Sequence, residues 1–225
     1  MEQQGDFHDN QDDKSPAATA LSAASDQALR VPCYCEENVW RLVHRRQHLQ
    51  HDLIKHDYVV FVSNPSKSVC FFHQRANSDP STPVFWDYHV ILLSHDTTNN
   101  MVNVMDMDSY LPYPCSLSEY LEQTFPNGRE LNQEHLERIA PYFRLVSADN
   151  FLRHFSSDRS HMWDATRKRW RATPPTYRCI QGSPINRDEK SSTTNLMTYV
   201  DMQQSLSDPV FGTVLTRQQL EEKYF

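Results

Sequence analysis

Between Tyr58 and Met107 the chain carries four apolar runs rich in β-branched and aromatic residues: Tyr58–Val62, Val69–Phe72, Val84–Leu93 and Met101–Met107. Side chains of this kind suit a pleated, half-buried surface, so each run is an expected strand. Ser63–Lys67 and Asn99-Asn100 read as turns, and Asn77–Pro83 as a polar, proline-bearing loop. A parallel connection needs a crossover of about a dozen residues or more, usually a helix. The links here are polar and carry no helical pattern, so the spacing predicts an antiparallel meander.

Helices are expected around that sheet. From Glu36 to Gln50, Val39, Leu42, Val43 and Arg46 follow helical spacing, with Trp40 beside them. The basic second half (Arg41, Arg45, Arg46) suits the negative end of the helix dipole. Cys35 then falls at, or just before, the helix start. Ser116 with Glu119, and Thr216 with Gln219, predict capping boxes ahead of two later helices. A strand at Tyr142–Val146, a short helix at Asp149–Phe155, a loop from Ser156 to Pro184, a short helix at Leu196–Met202 and a strand at Gly212–Leu215 complete the expectation. The fold class is α+β, an antiparallel sheet with helices packed on it.

A length of 225 residues suits one domain plus a tail. Residues 1–30 are rich in Asp, Gln, Ser and Ala and cannot bury enough surface to offset their ordering entropy. They are expected to be a disordered tail, with a single domain over residues 31–225. The net charge of −7 argues against nucleic-acid binding. The basic run Arg167–Arg171 reads as a solvated loop. No stretch reaches the ~18 apolar residues of a membrane span. The first thirty residues also lack the pattern of a secretory signal, so a soluble, intracellular protein is expected. Five scattered cysteines fit free thiols better than a disulfide framework. Cys33-Tyr34-Cys35 lacks the spacing and the second pair of a structural zinc site, so no metal is expected.

Three positions could carry chemistry. Cys35 at a helix start would have its thiolate favoured by the dipole. The neighbouring Glu36 and Glu37 oppose that, so a histidine partner would be needed. His89 lies in the third strand, where alternation puts Trp86, Tyr88 and Val90 on one face and Phe85, Asp87 and His89 on the other. Asp106 and Asp108 share a face at the end of the fourth strand. If those strands pair, one carboxylate could orient the imidazole, as in nucleophile–base–orienter triads. Taken singly, each has a plain alternative: a structural thiol, a satisfied core histidine, and solvated aspartates at a turn.

Longer motifs narrow the choice. Tyr34-Cys35-Glu36-Glu37-Asn38, Trp86-Asp87-Tyr88-His89-Val90 and Ser157–Met162 resemble the motifs of the protein N-terminal glutamine amidohydrolases, also called WDYHV-motif proteins. Leu111–Cys115, Pro174–Ile180 and Gly212–Leu215 are similar to that family too, and the resemblance runs in order over about residues 31–225. It implies a papain-like α/β sandwich, monomeric, with a Cys35–His89–Asp106 triad and no cofactor. The implied reaction converts N-terminal glutamine of a protein or peptide to glutamate and ammonia, feeding the arginylation branch of the N-degron pathway. The implied location is the cytoplasm, with the nucleus as a second compartment. Selecting a chain terminus calls for a carboxylate that meets the α-ammonium, and Glu36, Glu37 and Asp87 are the candidates. The rival readings are another papain-like thiol hydrolase, a transglutaminase-like acyl transferase, and a non-catalytic protein that binds chain termini.

Overall fold

The computed structural model describes residues 22–49, 53–125, 135, 138–185, 192–203 and 207–225. A short helix, α1 (Ala23–Gln27), precedes the long helix α2 (Cys35–Leu49). Then come β1 (Asp57–Ser63), β2 (Val69–Phe71), β3 (Val84–Trp86), β4 (Tyr88–Asp96), β5 (Met101–Met105) and β6 (Cys115–Ser116). Helix α3 (Leu117–Thr124), β7 (Tyr142–Ser147) and a helix at Ala148–His154 follow. The last elements are β8 (Trp163–Asp164), β9 (Arg169–Trp170), a helix at Leu196–Val200, β10 (Thr213–Thr216) and a helix at Arg217–Tyr224.

Six strands form one antiparallel sheet in the order β10-β7-β1-β4-β5-β6. Alternation along its strands creates two apolar layers. On one face Val59, Phe61, Val90 and Leu92 pack with Val39, Leu42 and Val43 of α2, and with Phe151, Tyr199 and Val200. On the other, Val60, Val62, Ile91 and Val104 pack with Leu117, Tyr120 and Leu121 of α3, Leu220, and β2. The molecule is thus a mixed α/β structure whose sheet is flanked by helices, as the strand pattern predicts.

Four expectations need correction. The predicted strand Val84–Leu93 breaks at Asp87. β3 leaves the main sheet and pairs with β2 in a two-stranded sheet of its own. The meander therefore holds only for β4-β5-β6, and β1 reaches β4 across the β2–β3 excursion. The loop at Ser156–Pro184 contains a 3-10 turn at Ser160–Met162 and the hairpin β8–β9. The expected tail over 1–30 divides: residues 1–21 lie outside the described residues, and residues 22–30 are ordered against the domain. There Ser22 and Ser25 form a reciprocal cap. Buried Asp26 is held by Arg45 and the Tyr113 hydroxyl, contacts that a composition argument cannot see. Among the described residues no helix is long and apolar enough to cross a membrane.

Candidate active site

Cys35 is the first residue of α2, presented by a tight turn. Cys33 takes a left-handed conformation, with φ of 69°. The buried side chain of Asn38 brackets the turn by accepting from the Val31 N–H at 2.8 Å and donating to the Val31 carbonyl at 2.9 Å. Tyr34 is buried, and its hydroxyl donates to the Ala172 carbonyl. The five residues Tyr34–Asn38 thus form an elbow that holds the thiol beside Val90 near the start of β4.

His89 lies at the start of β4, paired with Val62 of β1. The break at Asp87 turns Trp86 onto the same side as His89. Their ring centroids lie 4.5 Å apart at a tilt of 42°, contrary to the alternation expected for one continuous strand, and Phe71 meets the imidazole edge-on at 5.6 Å. His89 Nε2 lies 2.9 Å from Asp106 Oδ1, and both side chains are buried. Asp106 also accepts from the Asp108 N–H at 2.9 Å and from the Tyr120 hydroxyl at 2.8 Å. Burial works against ionisation of Asp106, but His89 and these donors outweigh it and hold the carboxyl below its usual range. For His89, burial pulls the other way and is overcome by Asp106, which raises the imidazole above its ordinary range and makes it a stronger base. An ionised Asp106 can only accept, so Nε2 carries the proton of this bond.

The thiol is adjacent. The N–H of Val90, the residue after His89, donates towards Cys35, and Cys35 Sγ donates to Glu36 Oε2 at 3.6 Å. Burial raises the thiol pKa well above its ordinary value, and the negative charges of Glu36 and Asp108 add to the effect. These surroundings favour the thiol over the thiolate.

The three carboxylates considered for the α-ammonium have different surroundings. Glu37 is buried and bound by Arg159 at both oxygens, 2.8 Å each. Asp87 is exposed, and its Oδ1 accepts from the Tyr88 N–H. Glu36 is fully buried against Cys35. Its Oε2 accepts from the Tyr88 hydroxyl at 3.2 Å. His161 Nε2 stands 3.4 Å from Glu36 Oε1 and 3.3 Å from the Tyr88 hydroxyl.

His89, Asp106 and Asp108 place ligand atoms within 4.8 Å of one another, a grouping that could suit a cation. Both carboxylates already have protein partners: His89 binds Asp106, and Arg30 Nε binds Asp108 Oδ1 at 2.7 Å. Cys33 and Cys35 are free thiols, as are the other three cysteines. Together these residues offer a thiol nucleophile, an oriented imidazole and a buried carboxylate beside them.

The family model for N-terminal glutamine amidase matches residues 30–224. The chain belongs to that family. A protein N-terminal glutamine amidohydrolase from Danio rerio is 35% identical over 182 residues, 80% of this chain and 87% of its own. The Homo sapiens protein of the same name is 33% identical over 213 residues, covering 93% of this chain and 95% of its own. The Bos taurus protein is 37% identical over 161 residues, 71% of this chain and 74% of its own. This member of the family is accordingly an enzyme.

Sequence reasoning missed four residues that build its site. Tyr120 fixes Asp106, Trp86 packs on His89, Tyr88 meets Glu36, and Arg30 neutralises Asp108. The Ser116 cap, which accepts from the Glu119 N–H, placed Tyr120 on a helix but could not say what its hydroxyl meets. Composition alone places Arg30 in the tail.

Proposed function

We propose that this chain hydrolyses the side-chain carboxamide of N-terminal glutamine in proteins or peptides, yielding glutamate and ammonia, through a Cys35–His89–Asp106 triad. The observation that carries the reading is the buried His89–Asp106 bond, one residue from the Val90 amide that faces Cys35, in a chain of this family. A papain-like arrangement is consistent with a thiol at a helix start and an imidazole and carboxylate on neighbouring strands.

His89 takes the Cys35 proton as sulfur attacks the carboxamide carbon. Backbone N–H groups, that of Cys35 among them, would hold the oxyanion. The His89 imidazolium then protonates departing ammonia, leaving a γ-glutamyl thioester. Neutral His89 activates water, and hydrolysis returns the thiol. Asp106 keeps the ring oriented and stabilises the imidazolium. The reading includes action as a monomer in cytoplasm or nucleus, supplying the arginylation branch of the N-degron pathway, with no nucleic-acid partner.

Ammonia release from a peptide beginning with Gln, compared with its isomer carrying Gln internally, tests the proposal. Wild type should act only on the first, and Cys35→Ala on neither, with its far-UV circular dichroism unchanged. Backbone cleavage, equal reaction of both isomers, or turnover by Cys35→Ala would overturn it.

A further inference from the structure

Six carboxylates are buried among the described residues: Asp26, Glu36, Glu37, Asp57, Asp106 and Asp108. Five are hydrogen-bonded to a cationic or imidazole partner, namely Arg45, Arg159, Arg46, His89 and Arg30 for Asp26, Glu37, Asp57, Asp106 and Asp108 in turn. Glu36 is the exception. Its Oε1 is sealed from solvent and has no hydrogen-bond partner, since His161 at 3.4 Å lies within ion-pair distance but outside hydrogen-bond geometry. A buried carboxylate oxygen with no donor is costly, so Glu36 Oε1 is placed to receive the N–H of a cation.

We infer that Glu36 binds the α-ammonium of the substrate, and that this contact also frees Cys35 to react, so that only a free chain terminus switches the nucleophile on. The inference rests on the amidohydrolase reading above. An ammonium takes a carboxylate at about 2.7–2.9 Å. In glutamine the δ carbon then lies about 4–5 Å further on, along staggered ~1.5 Å bonds. Because Oε2 is 3.6 Å from Cys35 Sγ, that reach brings the δ carbon to the sulfur. Glu37 and Asp87 lack this relation to the thiol.

The switch follows from charge. In the empty site Glu36 accepts the thiol proton in a hydrogen bond and opposes formation of a second anion beside it. An arriving ammonium neutralises Glu36 and takes over its oxygens. One proton then passes from Cys35 Sγ to the imidazole of His89, and no other bond breaks. His161, whose side chain is 21% exposed, stands 3.4 Å from Oε1 and is the group an ammonium would displace. The titratable or charged groups facing Glu36 are Cys33, Tyr34 and Cys35 along its own segment, Tyr88 and His89 on β4, Asp108 through its field on the thiol, and His161.

The test is alkylation of the full chain by iodoacetamide in a Cys33→Ser background, so that Cys35 is the one cysteine of its tryptic peptide, residues 31–41. A peptide beginning with alanine supplies the ammonium without a reacting carboxamide, and its N-acetyl form is the control. The first should speed alkylation of Cys35 by about tenfold, one unit of thiol pKa, and the second should not. Glu36→Gln should raise the basal alkylation rate and shift its pH profile downward. The same change should abolish stimulation by the ammonium and lower kcat/KM for a Gln-initiated peptide by about 10²-fold. A thiol no more reactive in Glu36→Gln, or equal stimulation by the acetylated peptide in wild type, would overturn the switch. Turnover retained by Cys35→Ala would instead overturn the amidohydrolase reading itself.

Discussion

His89 Nε2 and Asp106 Oδ1 lie 2.9 Å apart in a buried pair, and the second oxygen of Asp106 is fixed by the Tyr120 hydroxyl. Three elements (β4, the turn after β5, and α3) therefore meet on one carboxylate. This convergence makes Asp106, rather than Asp108, the group that orients the imidazole. Asp108 instead faces Arg30.

Asp106→Asn should keep the fold while lowering kcat by about 10²–10⁴-fold, because an amide no longer stabilises the imidazolium. Unfolding free energy should fall by only about 1–3 kcal/mol, through one poorly satisfied acceptor position. Asp108→Asn should cost far less activity. Steady-state ammonia assays paired with urea titrations check both, and the reverse order would move the orienting role to Asp108.

Stability should depend on pH through the same pair. The folded pKa of His89 is raised above 6.5, so its contribution is full below that value and is lost as pH rises through the folded pKa. The folded pKa of Asp106 is lowered below 3.8, so its contribution is present above that value and is lost as pH falls through the folded pKa. The pair stabilises most between these two ordinary values. Urea midpoints measured from acid to mildly alkaline pH should show this window, and the Asp106→Asn profile should be flatter across it.

Arg159→Ala should destabilise the chain by about 3–5 kcal/mol, since it strands the buried Glu37 carboxylate. Glu37→Gln combined with Arg159→Ala should recover part of that loss, giving a clear coupling energy in a double-mutant cycle. A Glu37→Gln variant that folds normally yet no longer distinguishes free from acetylated termini would show that Glu37, not Glu36, meets the substrate.

Gly212→Ala should lower the thermal midpoint without altering the chemistry of the site. Gly212 has φ of +78°, and an added Cβ would stand 1.9 Å from the Leu145 carbonyl oxygen, where β10 meets β7. The left-handed backbone and this clash together should cost about 1–3 kcal/mol or more. Differential scanning calorimetry reads the shift directly.

Much of the fold was legible because it is local. Runs of β-branched and apolar residues declared β1, β4 and β5, and Thr216 with Gln219 declared the last helix through a reciprocal cap that the structure contains. The break at Asp87 was not legible. Its Oδ1 accepts from the next N–H and its carbonyl from the Ser63 hydroxyl, and the second contact comes from another strand. The order on α1 escaped for the same reason, since Asp26 is held by Arg45 and Tyr113 rather than by its neighbours.

The sequence by itself determined which side chains were available: a thiol at a helix start, an imidazole on a strand, and several carboxylates close by. What it could not do was rank those carboxylates, because Glu36, Glu37, Asp106 and Asp108 are chemically near-identical along the chain. Only the tertiary structure assigned each its partner. Glu37 is neutralised by Arg159, Asp108 by Arg30 and Asp106 by His89, at sequence separations of 122, 78 and 17 residues. The energy of a buried charge depends on the nearest opposite charge in space, and folding decides which that is. Glu36, beside Cys35, has only His161 at 3.4 Å and no hydrogen-bonded cation.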